Sequence, residues 1–169
     1  KESSDFEWPE FDENTASGLC YTSGTTGNPK GVLYSHRSTV LHALIQCFYN
    51  AGSFSPKKKI LPIVPLFHAN AWGIPYSAPI SGTSLVFPGA NLDGKSVYDL
   101  LEKYSVNSAW GVPTVWMGLL EEISQRGGKK PDGLEEMLVG GSAAAKSLIE
   151  AFENMGVRVI HAWGMTETS

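Results

Sequence analysis

Tyr21-Thr-Ser-Gly-Thr-Thr-Gly-Asn-Pro-Lys-Gly31 constrains this chain more tightly than any other segment. It carries four Ser/Thr hydroxyls, three glycines and one lysine. Such a loop offers backbone N–H groups, O–H donors and a cation together, which is how a chain cradles a polyphosphate. The glycines allow close backbone approach and positive φ. Lys30 follows proline and precedes Gly31, so this is not the nucleoside-triphosphatase loop, whose Gly-Lys is followed by Ser or Thr. Ser/Thr/Gly/Pro clusters also form chemically silent loops. The particular spacing here favours the phosphate reading.

Outward from this loop, short apolar runs alternate with amphipathic stretches, the rhythm of an α/β domain. Gly18 to Thr22 reads as a short buried strand leading into the loop. Ser35 can cap a helix from about His36 to Asn50, with Val40, Leu41, Leu44, Ile45 and Phe48 as its inward face. Strands are expected at Ile60–Val64, Ser84–Phe87, Asn107–Gly111, Leu134–Val139 and Val157–Ala162. Helices are expected at Lys95–Tyr104, from Pro113 to about Arg126, and at Ala145–Met155. On the first of these three helices Val97, Leu100, Leu101 and Tyr104 should face inward. Residues 70–80 are ambiguous, with Pro75 and Pro79 limiting any helix. This order predicts a mostly parallel sheet with helices on both faces. Ligands of such sheets bind at the carboxyl ends of the strands. Loops after residues 22, 65, 140 and 163 should therefore converge on one site.

Composition narrows the function further. The chain has 169 residues, 42% hydrophobic, which suits one domain with a sizeable core. Its net charge of −4 gives no basic surface for nucleic acid. Lys57-Lys58-Lys59 and Lys129-Lys130 sit beside Pro or Gly and read as solvated turns. Cys20 and Cys47 are too few for a disulfide framework and suit a reducing, cytoplasmic setting. No apolar run is long enough to span a membrane, and the polar start shows no signal peptide. His36, Arg37 and His42 are assigned to helix surface or structure. No Cys/His spacing indicates zinc.

Three ordered blocks carry a family resemblance: TSGTTGNPKG at 22–31, PLFHANAW at 65–72, and GGSAAA at 140–145 followed by WGMTETS at 163–169. Together they resemble the adenylate-forming (AMP-binding) superfamily of acyl- and aryl-CoA synthetases, luciferases and peptide-synthetase adenylation domains. YSHRSTVLH at 34–42 and the Asn-Ala-Trp after His68 are most similar to medium- and long-chain fatty acyl-CoA synthetases. The resemblance implies an α/β fold forming part of the large N-terminal domain. Residues 1–15 are expected to be a linker or docking segment and 16–169 a partial AMP-binding domain. The chain lacks an initiating Met and stops at Ser169, so a fragment without the C-terminal lid is expected.

The resemblance also implies a chemistry: ATP-dependent activation of a fatty acid to acyl-AMP, then thioester formation with coenzyme A. Its cofactors would be ATP and Mg²⁺. Thr22, Ser23, Gly24, Thr25, Thr26, Gly27 and Lys30 would serve the β- and γ-phosphates. Glu167 would coordinate Mg²⁺ with help from Thr22, and Thr166 would donate to the α-phosphate. Trp163, where relatives more often have Tyr, would stack on adenine beside Gly164, with Gly140, Gly141 and Ser142 on the other side of the base. Backbone groups of His161 and Ala162 would read its amino edge. His68 and Ala69 would lie at the acyl carboxylate, with His68, Lys30, Thr166 and Glu167 as the catalytic set.

Trp72 would gate the acyl tunnel or simply pack in the core, and Trp110, Val112, Pro113 and Trp116 are weaker candidates for the acyl pocket. The ribose-binding Asp, the hinge and the lid lysine have no counterpart before Ser169. The isolated chain is accordingly expected to bind ATP weakly, to lack turnover and to self-associate. Other acyl- or aryl-CoA ligases, adenylation domains and a non-catalytic nucleotide-binding module remain as alternatives.

Overall fold

A computed structural model describes residues 6–22, 27–50 and 52–168. Five short strands form one parallel sheet: β3 (Lys59–Pro62), β4 (Ser84–Leu85), β5 (Ser108–Gly111), β6 (Glu136–Val139) and β7 (Arg158–His161). Their spatial order is β4-β3-β5-β6-β7. Side chains alternate across the sheet, as the pleat requires. Leu61, Ala109, Met137 and Val139 enter one core, whereas Ile60, Trp110 and Leu138 enter the other.

The first core is closed by α4 (Gly94–Tyr104), α5 (Pro113–Gln125) and α6 (Lys146–Asn154), which contribute Val97, Leu101, Trp116, Leu119 and Phe152. The second is closed by α3 (Ile74–Ser81), through Ile74 and Ala78, and by Phe54. This is the expected sheet covered on both faces. On α4, Val97, Tyr98 and Leu101 are buried and Leu100 packs against the core, but Tyr104 is exposed, contrary to expectation.

Strand β1 (Ala16–Thr22) departs from expectation. It pairs antiparallel with β2 (Lys30–Ser35), an unpredicted strand, and the two form a separate sheet. Thr22 stands opposite Lys30, so β1 and β2 form a hairpin whose strands flank the glycine-rich segment. The sequence signal was present: Lys30–Ser35 is short, contains β-branched and aromatic residues, and follows a Gly-Asn-Pro turn.

Ser35 caps helix α1 (His36–Tyr49) as predicted. Its side chain accepts from the Ser38 N–H at 3.0 Å, while its own N–H donates to Ser38 Oγ at 3.1 Å. The predicted inward face is overturned. Val40, Leu41, Leu44, Ile45 and Phe48 are exposed, Phe48 by 84%, and Ala43 is fully buried. Small residues decide the orientation, because α1 lies close against α3. Burial raises the Cys47 thiol above its ordinary range, and its S–H donates to the Ser77 carbonyl at 3.3 Å.

The amino ends of the strands are pinned by polar groups. Buried Glu136 accepts from Ser53 and from Arg158 Nη1, the latter at 3.1 Å, and Trp110 Nε1 donates to Ser108 Oγ at 2.9 Å. The carboxyl ends are thereby left for the site.

Helices α4 and α5 approach closely at two glycines. A Cβ on Gly94 would lie 2.0 Å from the Gly118 carbonyl oxygen, whereas one on Gly118 would lie 3.5 Å from Gly94 N. Gly94→Ala should therefore destabilise by about 1–3 kcal/mol, as overpacking does. Gly118→Ala should be neutral or stabilise by up to ~1 kcal/mol, since a mid-helix glycine is entropically costly. Urea unfolding midpoints of the two variants check this order, and equal midpoints would contradict the close approach.

Candidate functional site

The carboxyl ends of the parallel strands define the site. Sequence passes from β3 to β4 on one side and then crosses to β5, β6 and β7 on the other, so the order of strand addition reverses between β3 and β5. Open α/β sheets bind ligands at such a switch. A cavity of about 1010 Å³ lies there. It is bordered by the hairpin (Thr22, Lys30), by the segment after β3 (His68, Ala69, Trp72), by Gly140 and Gly141 after β6, and by residues 162–168 after β7. The expected convergence of the four loops is therefore observed.

The hairpin is tied in by a buried contact, in which the Tyr34 hydroxyl donates to the Thr166 carbonyl at 2.6 Å. Thr166 is itself buried, beside exposed Glu167 in the 3₁₀ turn Thr166–Thr168. That turn is closed by Thr168 Oγ1, which accepts from the Met165 N–H at 3.1 Å. Lys30 and Glu167 thus border one cavity as opposite charges, one from the hairpin and one from the turn after β7. Trp163 is 82% exposed and lines the cavity.

Gly140 is needed for close packing. A Cβ there would meet Trp72 Cη2 at 3.0 Å and the Ala162 carbonyl oxygen at 3.3 Å. The Ala162 N–H donates to the Val139 carbonyl at 2.8 Å, which fixes the start of the last loop against β6.

The segment after β3 has an unusual backbone. His68 precedes a single left-handed turn, α2 (Ala69–Trp72), with φ values of 45°, 53°, 49° and 57°. Ala69 and Ala71 are buried, while His68 is exposed at the cavity edge.

Not every expected residue borders the cavity. Ser142 and His161 are outside its lining, and His161 Nε2 instead accepts from the Ala144 N–H at 3.4 Å. Gly27 does not line it either, and Ser23, Gly24, Thr25 and Thr26 lie outside the described residues. Trp110 lines the cavity, but Val112, Pro113 and Trp116 do not, and Trp116 is fully buried in the core.

The sequence reading missed one wall. His42, Ile45, Gln46, Tyr49 and Asn50 of α1 and its C-cap line the cavity. They recur at the three-and-four spacing of one helix face. That stripe mixes polar and apolar residues, so a search for apolar periodicity passed over it. Burial lowers the His42 imidazole below its ordinary range, which favours the neutral ring inside this wall.

The donor set suits a magnesium–nucleotide ligand. Mg²⁺ is commonly held by one or two carboxylates together with substrate phosphates and water. Glu167 and Thr22 bring one carboxylate and one hydroxyl to the cavity that Lys30 also borders. Among the described residues no cluster of three or more His, Cys, Asp or Glu side chains could hold a metal. A cation arriving with phosphate fits this arrangement better than a protein-only cage.

Comparison with known proteins agrees with the architecture. A medium-chain-fatty-acid–CoA ligase of Ectopseudomonas oleovorans is 56% identical over 164 residues, covering 96% of this chain and 30% of that protein. A 3-methylmercaptopropionyl-CoA ligase of Ruegeria lacuscaerulensis is 52% identical over 166 residues, covering 98% of this chain. The chain spans 31% of that ligase's length. The structure of O-succinylbenzoate coenzyme A synthetase of Bacillus subtilis in complex with ATP and magnesium ion superposes with a TM-score of 0.82 at 27% identity, covering 99% of this chain and 34% of that one. The family model for AMP-binding enzymes matches residues 1–169, and the chain belongs to that family.

Proposed function

We propose that the protein carrying this chain is a fatty acid–CoA ligase that works through an acyl-adenylate. One observation carries this reading: a single cavity brings together a phosphate-type hairpin, the exposed Trp163 indole, and an apolar wall. Ile45, Tyr49, Trp72, Trp110 and Leu138 make that wall. Its apolar surface suits a hydrocarbon chain, and relatives named for medium-chain and 3-methylmercaptopropionyl acids are similar to the chain throughout.

The reaction couples two substitutions. A carboxylate oxygen attacks the α-phosphorus of ATP, the bond to the bridging oxygen of the β-phosphate breaks, and pyrophosphate leaves. The coenzyme A sulfur then attacks the acyl carbon, losing its thiol proton, and AMP leaves with the electrons of the acyl–oxygen bond. Two anions must first be held together, so positioning and charge neutralisation dominate.

In this reading Lys30 neutralises the β- and γ-phosphates, assisted by Thr22 and residues 23–27. Thr166 donates to the α-phosphate. His68, at the head of the left-handed turn, meets the reacting carboxylate and α-phosphate, with Ala69 beside it. The base lies between Trp163 and the Gly140–Ser142 segment, near the backbone of His161, Ala162 and Gly164. Bound Mg²⁺ would supply positive charge against the phosphates, with Glu167 and Thr22 as its protein ligands.

Residues 1–15 act as a docking segment in this reading, and a lid domain outside these residues completes the site. Phe11 supports the first point, its ring lying 4.4 Å from that of His36, as does the ion pair of Glu13 with Arg37. We place the protein in the cytoplasm, in line with free thiols at Cys20 and Cys47. The exposed apolar face of α1 supports self-association of the isolated chain.

The intact protein, supplied with ATP, Mg²⁺, coenzyme A and acids from hexanoate to palmitate, should yield thioester, AMP and pyrophosphate. ADP and phosphate as products would overturn the ligase reading. Turnover confined to 3-methylmercaptopropionate would overturn the fatty-acid assignment alone.

Glu167→Gln preserves shape but removes charge. Adenylation should fall by about 10²–10³, comparable to losing one preorganised electrostatic contact. Acid binding should change little. An unchanged rate at saturating Mg²⁺ would remove Glu167 from the metal site.

A further inference from the structure

Four consecutive non-glycine residues, Ala69 to Trp72, all have positive φ, followed by Gly73 at 78°. Asn70 and Ala71 have ψ of 45°, so both are in the left-handed helical region. L-residues adopt that region at a cost of roughly 1–2 kcal/mol each. Such a run persists only where its surroundings hold it.

Part of the restraint is local: the Ala71 N–H donates to the His68 carbonyl at 3.0 Å, and the Gly73 N–H to that of Asn70 at 3.1 Å. A second part comes from α1. Gln46 Nε2 donates to the Trp72 carbonyl at 2.6 Å. The fully buried Ser77 hydroxyl donates to Gln46 Oε1, which sets the amide with its nitrogen toward Trp72. The opposite orientation would set two carbonyl oxygens against each other. The His42 ring closes the exit of the turn, reaching within 2.7 Å of where a Cβ on Gly73 would lie.

The indole carried at the end of this turn is half-buried, rests on Gly140 and lines the cavity along with Gln46. A right-handed path through residues 69–72 would send the Trp72 side chain in a different direction, off Gly140. We infer that Gln46 is a positioning residue: through the Trp72 carbonyl it holds the indole across the cavity and so sets which acids the apolar wall accepts. The substrate half of this inference rests on the ligase reading above, whereas the positional half does not.

Two measurements on the intact protein separate these halves. The first is acrylamide quenching of Trp72 emission, taken as the difference between each protein and its Trp72→Phe counterpart. Gln46→Glu and Gln46→Leu should make Trp72 more accessible, and Ser77→Ala should do so more weakly. Unchanged quenching in folded variants overturns the inference whatever the enzyme's activity. If neither Gln46 variant folds, quenching in Ser77→Ala decides between the two outcomes.

The second is the KM for acids from hexanoate to palmitate. Loss of one neutral hydrogen bond, roughly 1 kcal/mol, corresponds to about a fivefold rise in acid KM. The KM for ATP should stay within about twofold, because the perturbation is confined to the acyl end. Gln46→Leu and Trp72→Ala should be non-additive, since one acts through the other. Additive effects, or equal rises in both KM values, would show that Gln46 serves general packing. No turnover in the unsubstituted protein would sink the ligase reading and leave the quenching result to decide the positional claim.

Discussion

The buried hydrogen bond from Tyr34 to the Thr166 carbonyl joins two sheets that share no strand pairing. Its partners are 132 residues apart in sequence. One belongs to the hairpin that carries Thr22 and Lys30, and the other to the turn that carries Glu167. The cavity has two charged borders because this contact holds the hairpin beside the ends of β6 and β7. The Cys20 thiol, which donates to Asn70 Oδ1 at 3.5 Å, ties the same hairpin to the left-handed turn. Displacing the hairpin would therefore disturb the left-handed turn and the turn that carries Glu167 together.

The parallel sheet supplies the fixed frame for this arrangement. Its amino ends carry the Glu136, Ser53 and Arg158 network, and Lys58 pairs there with Glu135. A buried carboxylate would be costly without such partners, so the network restrains β6 and β7 at that end. The carboxyl ends continue into glycines and short loops, where close approach matters more than side-chain packing. Gly140 shows the consequence: the space its side chain would occupy is taken by the Trp72 indole and the Ala162 carbonyl.

Much of the frame was legible in the sequence because strand length, punctuation and burial agreed. Apolar runs bounded by Gly or Pro located every strand of the parallel sheet to within a few residues. Ser35 announced the start of α1 through the chemistry of its side chain. Strand β2 was lost because residues 28–31 read as loop and the following residues were absorbed into the approach to a helix. The left-handed turn could not be foreseen, since Ala-Asn-Ala-Trp carries no glycine to announce positive φ. Its conformation is imposed by contacts from α1 and β1, remote in sequence. Motif spacing identified most of the loops that border the cavity. The α1 wall was missed because His42, Gln46 and Asn50 interrupt the apolar pattern.

Helix α1 makes the physical reason concrete. An apolar stripe indicates which face benefits from leaving water, but the face that meets a neighbour depends on how near that neighbour can come. Ala43 and Cys47 allow α3 close enough for Cys47 and Gln46 to bond with Ser77. Leucine or phenylalanine at those positions would hold the helices apart and break the chain from Ser77 through Gln46 to Trp72. The small residues consequently face α3, and the larger ones at Leu44 and Phe48 are left 48% and 84% exposed. Orientation was decided by small residues and the polar contacts they permit at a close helix crossing, against the direction in which the bulk of the apolar surface pointed. The same crossing places Gln46 against the Trp72 carbonyl, so the feature that defeated the periodicity argument also gives the cavity its α1 wall.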